Sequence, residues 1–147
     1  MDIINAYALT TEILSTAQNG VPLVICTDAP RVIKKIESAG YREVQVNQEL
    51  SKKLLEYPKE ERPSLVEKEL KSILNNTDPV FVTRFEMLFD PRYKIDVLKL
   101  FCDKARLINV AIKWSGLYID GKLTYASPED SDYHEFDCQK YQIRIVK

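Results

Sequence analysis

Hydrophobic residues along the chain form short continuous runs and longer stretches with helical spacing. The apolar runs at residues 21–26 and 79–83 predict strands buried on both faces. Residues 107–114 and 141–146 predict two further strands, and the alternating segment 43–46 predicts an edge strand. The sequence therefore predicts five strands for one main sheet.

Helical spacing and capping residues predict five helices between or before these strands. The first is capped by Asp2, ends at Asn19-Gly20 and carries Ile3, Ile4, Tyr7, Leu14 and Ala17. Asp28 and Pro30 open a helix over residues 31–39 that stops at Gly40. The third helix begins at its cap Asn47 and ends at Pro58. The fourth begins with a Ser64–Glu67 capping box and ends at Asn75-Asn76. The fifth is an amphipathic helix over residues 94–105.

A β-hairpin is predicted after the fourth strand. Asp120-Gly121 is typical of a type I′ turn, and this turn places Tyr118 opposite Leu123. An acidic loop over residues 127–137 follows and leads to the fifth strand. Strands that alternate with helices pair in parallel through right-handed crossovers. We therefore expect one α/β domain over residues 1–147, with three layers, a mostly parallel five-stranded sheet and an inserted hairpin.

Composition excludes several classes of protein. The chain has 147 residues, 21 basic and 22 acidic side chains, and a net charge of -1, which argues against nucleic-acid binding by bulk electrostatics. No apolar run has the length of a membrane span, and residues 1–5 lack the basic segment of a secretory signal. Three widely spaced cysteines suit a reducing compartment. We therefore expect a cytoplasmic protein.

The turn after the first strand is where a parallel sheet would bind phosphate. A working P-loop needs glycines, which let backbone N–H groups surround the phosphate, and a lysine that neutralises it. Residues 27–31 contain no glycine, Pro30 lacks an N–H, and Asp28 adds a negative charge at the helix N-terminus. Lys34 and Lys35 follow one helical turn too late to replace the P-loop lysine.

The second nucleotide-binding motif is also altered. An acidic residue that holds Mg²⁺ is expected near the end of the strand 79–83, but Thr83-Arg84 stands there, followed by Glu86 and Asp90. We expect Glu86 to pair with Arg84 or Arg92. Arg84 and Lys113 predict a small cationic spot at the carboxyl edge of the sheet, which an anion or the carboxylates of Asp28 and Glu86 could neutralise.

Other chemistry is weakly supported. His134, Cys138, Cys26 and Cys102 lack the paired spacing of a zinc site, so we expect structural roles for them and no metal. No serine or cysteine has the context of an activated nucleophile, so no catalytic residue is predicted. The acidic loop is either a solvated turn or a docking surface for a basic partner protein.

Four segments together resemble BrxF, a family of small P-loop proteins of type 3 BREX phage-defence operons. They are Asn47-x-x-Leu50-Ser51-x-x-Leu54-Leu55-x-x-Pro58, Glu86-x-Leu88-Phe89-Asp90-Pro91, Trp114-Ser115-Gly116 and Asp120-Gly121-x-Leu123-Thr124-Tyr125-Ala126-x-Pro128. The resemblance implies a P-loop NTPase-like fold of the ASCE type, with strand order 5-1-4-3-2, and a role in bacterial antiviral defence beside larger proteins of the system. Members of the family have a Gly-rich loop and a Pro-Gly-His-x-Glu-Tyr segment, whereas this chain has residues 27–31 and Pro128-Glu129-Asp130-Ser131-Asp132-Tyr133. Their nucleotide-binding residues therefore do not transfer.

Three functions are consistent with this sequence. The first is a non-catalytic interaction subunit of the defence system, on a degenerate P-loop scaffold and without a cofactor. The second is an ATPase or GTPase with an atypical phosphate loop, which would bind nucleotide and Mg²⁺ through Thr27, Asp28, Arg31, Lys34, Lys35, Arg84, Glu86 and Lys113, with Asp90 beside Glu86 at the metal. The third is a DNA-associated subunit, for which binding must weaken steeply with salt.

Overall fold

The core of the chain is a parallel sheet of six strands, accompanied by a smaller antiparallel sheet. The computed structural model describes residues 2–15, 20–75 and 78–147. Within these residues the strands are β1 (Asp2–Ile4), β2 (Leu23–Ile25), β3 (Arg42–Gln45), β4 (Val80–Thr83), β5 (Val110–Lys113), β6 (Leu117–Ile119), β7 (Lys122–Tyr125), β8 (His134–Asp137) and β9 (Arg144–Val146). The helices are α1 (Thr11–Ser15), α2 (Pro30–Ser38), α3 (Val46–Leu54), α4 (Arg62–Ile73) and α5 (Val97–Ala105). Three short 3₁₀ helices cover Ala6–Ala8, Glu86–Phe89 and Cys138–Lys140.

The main sheet has the order β1-β9-β2-β5-β4-β3, and every neighbouring pair is parallel. Its last five strands are the five that the sequence predicts, in the predicted order 5-1-4-3-2. The α/β class and the edge position of β3 are likewise confirmed. The expected count of five strands is wrong, because β1 adds a sixth strand beside β9.

The prediction of one helix from Asp2 to Gly20 is wrong over its first part, although α1 over Thr11–Ser15 confirms a helix around the buried Leu14. Asp2 pairs with Arg144 and Ile4 with Val146 in a strand, so Asp2 caps nothing. Asn5 then accepts a hydrogen bond from the Tyr7 N–H and starts a 3₁₀ turn rather than an α-helix. Short polar side chains compete with helices in this way. Ala17 and Asn19, assigned to the end of the predicted helix, lie outside the described residues, as does Asn76 after α4.

Helices cover both faces of the main sheet. Leu23 and Ile25 of β2 pack with Val32 and Ile36 of α2 in one cluster of buried residues, which also includes Leu14 of α1. A larger cluster on the opposite face contains α3, α4, α5 and part of the small sheet. Three layers are therefore present, and β2 is buried on both faces, as its continuous apolar run predicts.

The small sheet contains the predicted hairpin and one strand that was not predicted. Asp120 and Gly121 both have positive φ angles, 51° and 79°, which confirms the type I′ turn, and Tyr118 pairs with Leu123. Strand β8 adds to β7 and places Phe136 opposite Leu123. The acidic loop is therefore shorter than predicted, because its last four residues form a strand with a buried aromatic residue.

Three predicted helix caps are wrong. The N-cap residues of α2, α3 and α4 are Ala29, Gln45 and Glu61, and none of them caps through its side chain. Ser64 lies inside α4, where its hydroxyl donates to the Glu61 carbonyl oxygen. Asp28 and Asn47 instead bond to residues distant in sequence, as described below. The helix predicted over residues 94–105 is confirmed from Val97 to Ala105 as α5. It begins later than predicted, because Lys94 has a φ angle of 53° and Asp96 is the N-cap, which accepts from the Lys99 N–H.

An aromatic cluster joins the small sheet to the main sheet. It consists of Phe85, Phe89, Trp114, Tyr125, His134 and Phe136. The Trp114 Nε1–H donates to the Thr124 carbonyl oxygen at 3.0 Å, and the Phe89 and Tyr125 rings stack with centroids 4.2 Å apart. A Cβ atom on Gly116 would lie 1.8 Å from that carbonyl oxygen, so the close approach requires glycine. No helix in the described residues is both long enough and apolar enough to span a membrane.

Candidate functional site

A cavity of about 370 Å³ lies at the carboxyl ends of β3, β4 and β5, on the side of the sheet that faces α2. Ile33 and Phe81 form its apolar wall, and Glu43, Thr83 and Lys113 add polar groups from the three strands. Alternate residues of a strand share a face, which explains why these side chains meet. The carboxyl edge is also where open α/β sheets bind ligands, so this cavity is the candidate functional site.

Lys113 bonds to Asp28 across the end of β2. The Lys113 ammonium lies 2.9 Å from Asp28 Oδ1 and donates to the Trp114 carbonyl oxygen at 3.1 Å. The side chain of Asp28 is 95% exposed, and that of Lys113 is 26% exposed. The predicted cationic spot thus includes Lys113, with its charge balanced by Asp28. This ion pair also explains why Asp28 does not cap α2.

The first turn of α2 offers few free hydrogen-bond donors. Thr27 Oγ1 accepts from the Ala29 N–H at 3.2 Å, and the Val32 N–H donates to the Ala29 carbonyl oxygen at 3.0 Å. Pro30 is the first helical residue and has no N–H. A phosphate needs several backbone N–H groups that converge on it. In this turn the Ala29 and Val32 N–H groups are already bonded and Pro30 offers none.

Three of the basic residues assigned to a possible nucleotide lie away from the cavity. The Lys35 ammonium donates to the Leu9 carbonyl oxygen at 2.7 Å, and the Arg31 guanidinium lies 3.5 Å from the centroid of the Tyr7 ring. Both contacts hold the N-terminal segment against α2. Lys34 is exposed on the same helix. The structure therefore does not bring Arg31, Lys34 or Lys35 together with Lys113.

Glu86 lies in a hydrogen-bond network that was not predicted. Asn47 Nδ2 donates to Glu86 Oε2 at 2.7 Å, and Ser115 Oγ donates to Glu86 Oε1 at 3.0 Å. Asn47 Oδ1 also accepts from the Met87 N–H at 3.1 Å. The expected pairing of Glu86 with Arg84 or Arg92 is wrong. A signal was present in the sequence, since Asn47 follows an edge strand and must lie at the carboxyl edge.

Arg84 has a left-handed backbone conformation at the end of β4. Its φ angle is 46°, and its carbonyl oxygen accepts from the Asn47 N–H at 2.7 Å. Residues with side chains rarely adopt this conformation, and it is retained where surrounding contacts determine it. The turn allows the chain to reverse from β4 into the Glu86–Phe89 helix. The Arg84 side chain is exposed and lines the cavity.

The two acids assigned to a possible metal are not brought together. Asp90 is bound by Arg92 through several hydrogen bonds, the shortest at 2.6 Å, and these bonds lower the pKa of Asp90. Glu86 is held by Asn47 and Ser115 instead. In the part of the chain that the structure describes, no group of three or more metal-ligating side chains is present.

The histidine and the cysteines have structural surroundings. The His134 ring lies against Phe89 and Phe136, and its Nδ1 is 2.8 Å from the Asp132 carbonyl oxygen. Burial raises the pKa of the Cys26 thiol to about 12 and that of Cys102 to about 11. Because the thiolate is the reactive form, burial disfavours the reaction of both thiols near neutral pH.

Two hydroxyl groups at the cavity donate to carboxylates. Thr83 Oγ1 donates to Glu43 Oε1 at 3.2 Å, just as Ser115 donates to Glu86. The site therefore suits structural contacts or the binding of a polar surface.

Comparisons with known proteins leave the chain without an assigned family. No family model, curated protein or solved structure matches it.

Proposed function

We propose that the chain is a non-catalytic interaction subunit on a degenerate P-loop NTPase-like scaffold. The order of the five strands β9-β2-β5-β4-β3 supports the scaffold, because ASCE-type sheets have this order. The crossover from β2 through α2 supports it as well, since the phosphate-binding turn of such proteins lies at this connection.

The chemistry of the β2–α2 turn carries the proposal. A phosphate placed there would meet the Asp28 carboxylate, which lies 2.9 Å from Lys113, and would find no donor on Pro30. Two like charges 4 Å apart repel by about 1 kcal/mol in water and by about 4 kcal/mol at an effective dielectric constant of 20. The Lys113 ammonium balances the Asp28 charge and is thereby occupied, and the turn does not supply the converging N–H groups through which a P-loop binds phosphate.

The proposed setting is a type 3 BREX defence system in the bacterial cytoplasm, with the larger proteins of that system as partners. The resemblance to BrxF supports this setting. Three of the segments that carry the resemblance also pack together, since they supply Phe89, Trp114 and Tyr125 to the aromatic cluster.

Thermal unfolding with and without millimolar ATP–Mg²⁺ tests the non-catalytic assignment. A ligand at 100 times its Kd adds about 2.7 kcal/mol to the free energy of unfolding, an effect that raises the Tm measurably. We expect ATP–Mg²⁺ to leave the Tm of this chain unchanged. The proposal is contradicted if ATP–Mg²⁺ raises the Tm of the wild-type chain and Lys113→Met abolishes this rise. Lys34→Met, on the exposed face of α2, is the control and should leave such a rise unchanged.

Affinity purification tests the setting. The tagged chain is expressed in the bacterium from which its gene comes, and the proteins that purify with it are identified by mass spectrometry. We expect these proteins to include other components of the defence system. Repeated recovery of an unrelated complex contradicts the BREX assignment and leaves the thermal-unfolding result unaffected.

A further inference from the structure

A second cavity, of about 400 Å³, lies between α4 and α5. It shares no described residue with the cavity at the carboxyl ends of the strands. Leu74, Leu100 and Leu107 supply its apolar surface. Leu74 and Leu100 are buried, whereas Leu107 is 77% exposed just beyond the end of α5. The cavity is therefore a groove with an apolar floor and an exposed leucine at one end.

Both walls of this groove are faces of helices. The residues that line each wall have the spacing i, i+3, i+4, i+7, which places them on one helix face. They are Lys68, Lys71, Ser72 and Asn75 on the α4 side, and Leu100, Asp103, Lys104 and Leu107 on the α5 side. At 1.5 Å per residue, each wall is about 10 Å long. The walls present side chains rather than an open strand edge, so a partner helix, which satisfies its own backbone groups, fits this groove better than an extended strand.

Positive charges outnumber negative charges in the groove. Three lysines line it, Lys68, Lys71 and Lys104, together with one acid, Asp103. Lys71 lies 3.4 Å from Glu67, one turn earlier on α4, so its charge is balanced. Among the residues that the structure describes, Lys68 and Lys104 form no ion pair. Two lysines of the groove therefore have no carboxylate beside them.

Lys104 is the clearest case of a cation without a counter-charge. The neighbouring Asp103 lies 3.6 Å from Lys99, one turn earlier on α5, and so pairs along its own helix. Lys104 is half-buried, and this burial lowers its pKa, because the charged form loses part of its hydration. A carboxylate supplied by a ligand would restore a favourable environment for this ammonium group.

The combination of leucines and lysines distinguishes between possible occupants. A nucleic-acid backbone provides negative charge but no apolar group that would cover Leu107. A symmetric contact between two copies of this chain would bring the same lysines together. A helix with leucines on one side and acidic residues beside them matches both the floor and the rim of the groove.

We propose that the groove between α4 and α5 binds an acidic amphipathic helix of a partner protein. Apolar side chains of this helix cover Leu107 and pack above Leu100, and its glutamates or aspartates pair with Lys68 and Lys104. The inference rests on the proposed function in one respect, that the chain acts by binding another protein. It adds the surface and the chemistry of the partner.

A fluorescent peptide of leucine and glutamate, with its leucines at helical spacing, is the probe for the purified full chain. We expect it to bind, to bind more weakly as salt rises, and to protect Lys68 and Lys104 from acetylation. Lys68→Glu and Lys104→Glu are each expected to weaken binding at least tenfold. Lys68 is exposed, so Lys68→Glu keeps the test decisive if Lys104→Glu impairs folding. Lys34→Glu is the matched control, because it makes the same change of net charge on α2, across the main sheet, and should leave binding unchanged.

Two further changes test the apolar and helical parts of the contact. Leu107→Ser is expected to weaken binding at least threefold, whereas Leu55→Ser, at a residue 69% exposed after α3, should leave it unchanged. A peptide of the same charge with a central proline is expected to bind at least tenfold more weakly, because proline breaks its helix. Equal binding of the proline peptide overturns the proposal, as does unchanged binding by Lys68→Glu.

Competition separates the partner helix from other anions. Duplex DNA and dodecanoate, a small anionic amphiphile, are each expected to displace the labelled peptide only at higher concentration than the unlabelled peptide does. Displacement by either one at lower concentration overturns the proposal, because the groove then prefers a nucleic acid or a small molecule. Sedimentation that shows self-association lost in Lys68→Glu also overturns it, because the occupant is then a second copy.

These outcomes are independent of the nucleotide test. Peptide binding together with a Tm rise in ATP–Mg²⁺ contradicts the proposed function and supports this surface. Failure of the peptide to bind, with no effect of ATP–Mg²⁺, overturns the surface and leaves the non-catalytic assignment in place.

Discussion

Two consecutive residues at the end of β5 lie in regions of opposite character. Lys113 lines the polar cavity beside α2 and bonds to the exposed Asp28. Trp114 is 2% exposed and packs against Phe85 and Phe89 in the aromatic cluster. Because side chains alternate along a strand, one strand end supplies both regions. The aromatic cluster therefore lies on one side of Trp114 and the cavity, which Trp114 also lines, on the other, and substitutions should separate the two regions.

The largest effect is expected from Trp114→Ala, which removes the centre of the aromatic cluster. Truncation of a buried large aromatic residue costs about 3–5 kcal/mol through lost burial and the cavity that remains. The Thr124 carbonyl oxygen also loses its donor. Urea unfolding followed by far-UV circular dichroism measures the change, because the fluorescence of the single tryptophan is lost with the substitution.

Leu107→Ala is the control for this measurement, since Leu107 is exposed and lies outside the cluster. We expect its free energy of unfolding to change by less than about 0.5 kcal/mol. If Trp114→Ala costs no more than Leu107→Ala, the cluster does not hold the small sheet to the main sheet.

An intermediate effect is expected from Asn47→Ala at the polar side of the sheet edge. The substitution leaves the Met87 N–H without its acceptor and Glu86 without one of its two donors. An unsatisfied buried polar group costs about 1–3 kcal/mol, and these groups are half-buried, so we expect about 1 kcal/mol. Urea unfolding is the measurement, and Gln48→Ala on the exposed face of α3 is the control. A loss as large as that of Trp114→Ala would contradict the division into two regions.

The sequence predicts strands of the fold well where a strand is buried and its residues are apolar. The runs at residues 21–26 and 79–83 are rich in buried β-branched and aromatic residues, and both became central strands. Residues Ile3 and Ile4 also favour a strand, but apolar residues further along suggested helical spacing, and the partner strand β9 lies at the other end of the chain. Pairing over that separation has no local signal.

The candidate site was harder to predict, because polar side chains have several possible partners. Asp28 and Asn47 both have the composition of helix caps, yet Asp28 bonds to Lys113 and Asn47 to Glu86. Those partners lie far along the chain and reach the sheet edge only once the strand order is set. The prediction that residues 27–31 do not bind phosphate depends on local residues alone, and it stays a prediction. The BREX setting stays a prediction.

The smallest effect on stability is expected from Asp28→Ala, which breaks the ion pair with Lys113. An exposed ion pair contributes about 0–1 kcal/mol, so the free energy of unfolding should change by less than about 1 kcal/mol.

The Asp28→Ala variant is informative for another reason, because it removes the negative charge and leaves the backbone of the turn unchanged. If charge alone excludes phosphate, the variant binds inorganic pyrophosphate with Mg²⁺ and its Tm rises. We expect no rise, since Pro30 still lacks a donor and the Ala29 and Val32 N–H groups are already bonded. Calorimetric titration with pyrophosphate compares the wild-type chain with Asp28→Ala and Asp28→Asn. Binding by the two variants alone shows that the Asp28 charge excludes phosphate, whereas no binding by any of the three shows that the turn lacks backbone donors.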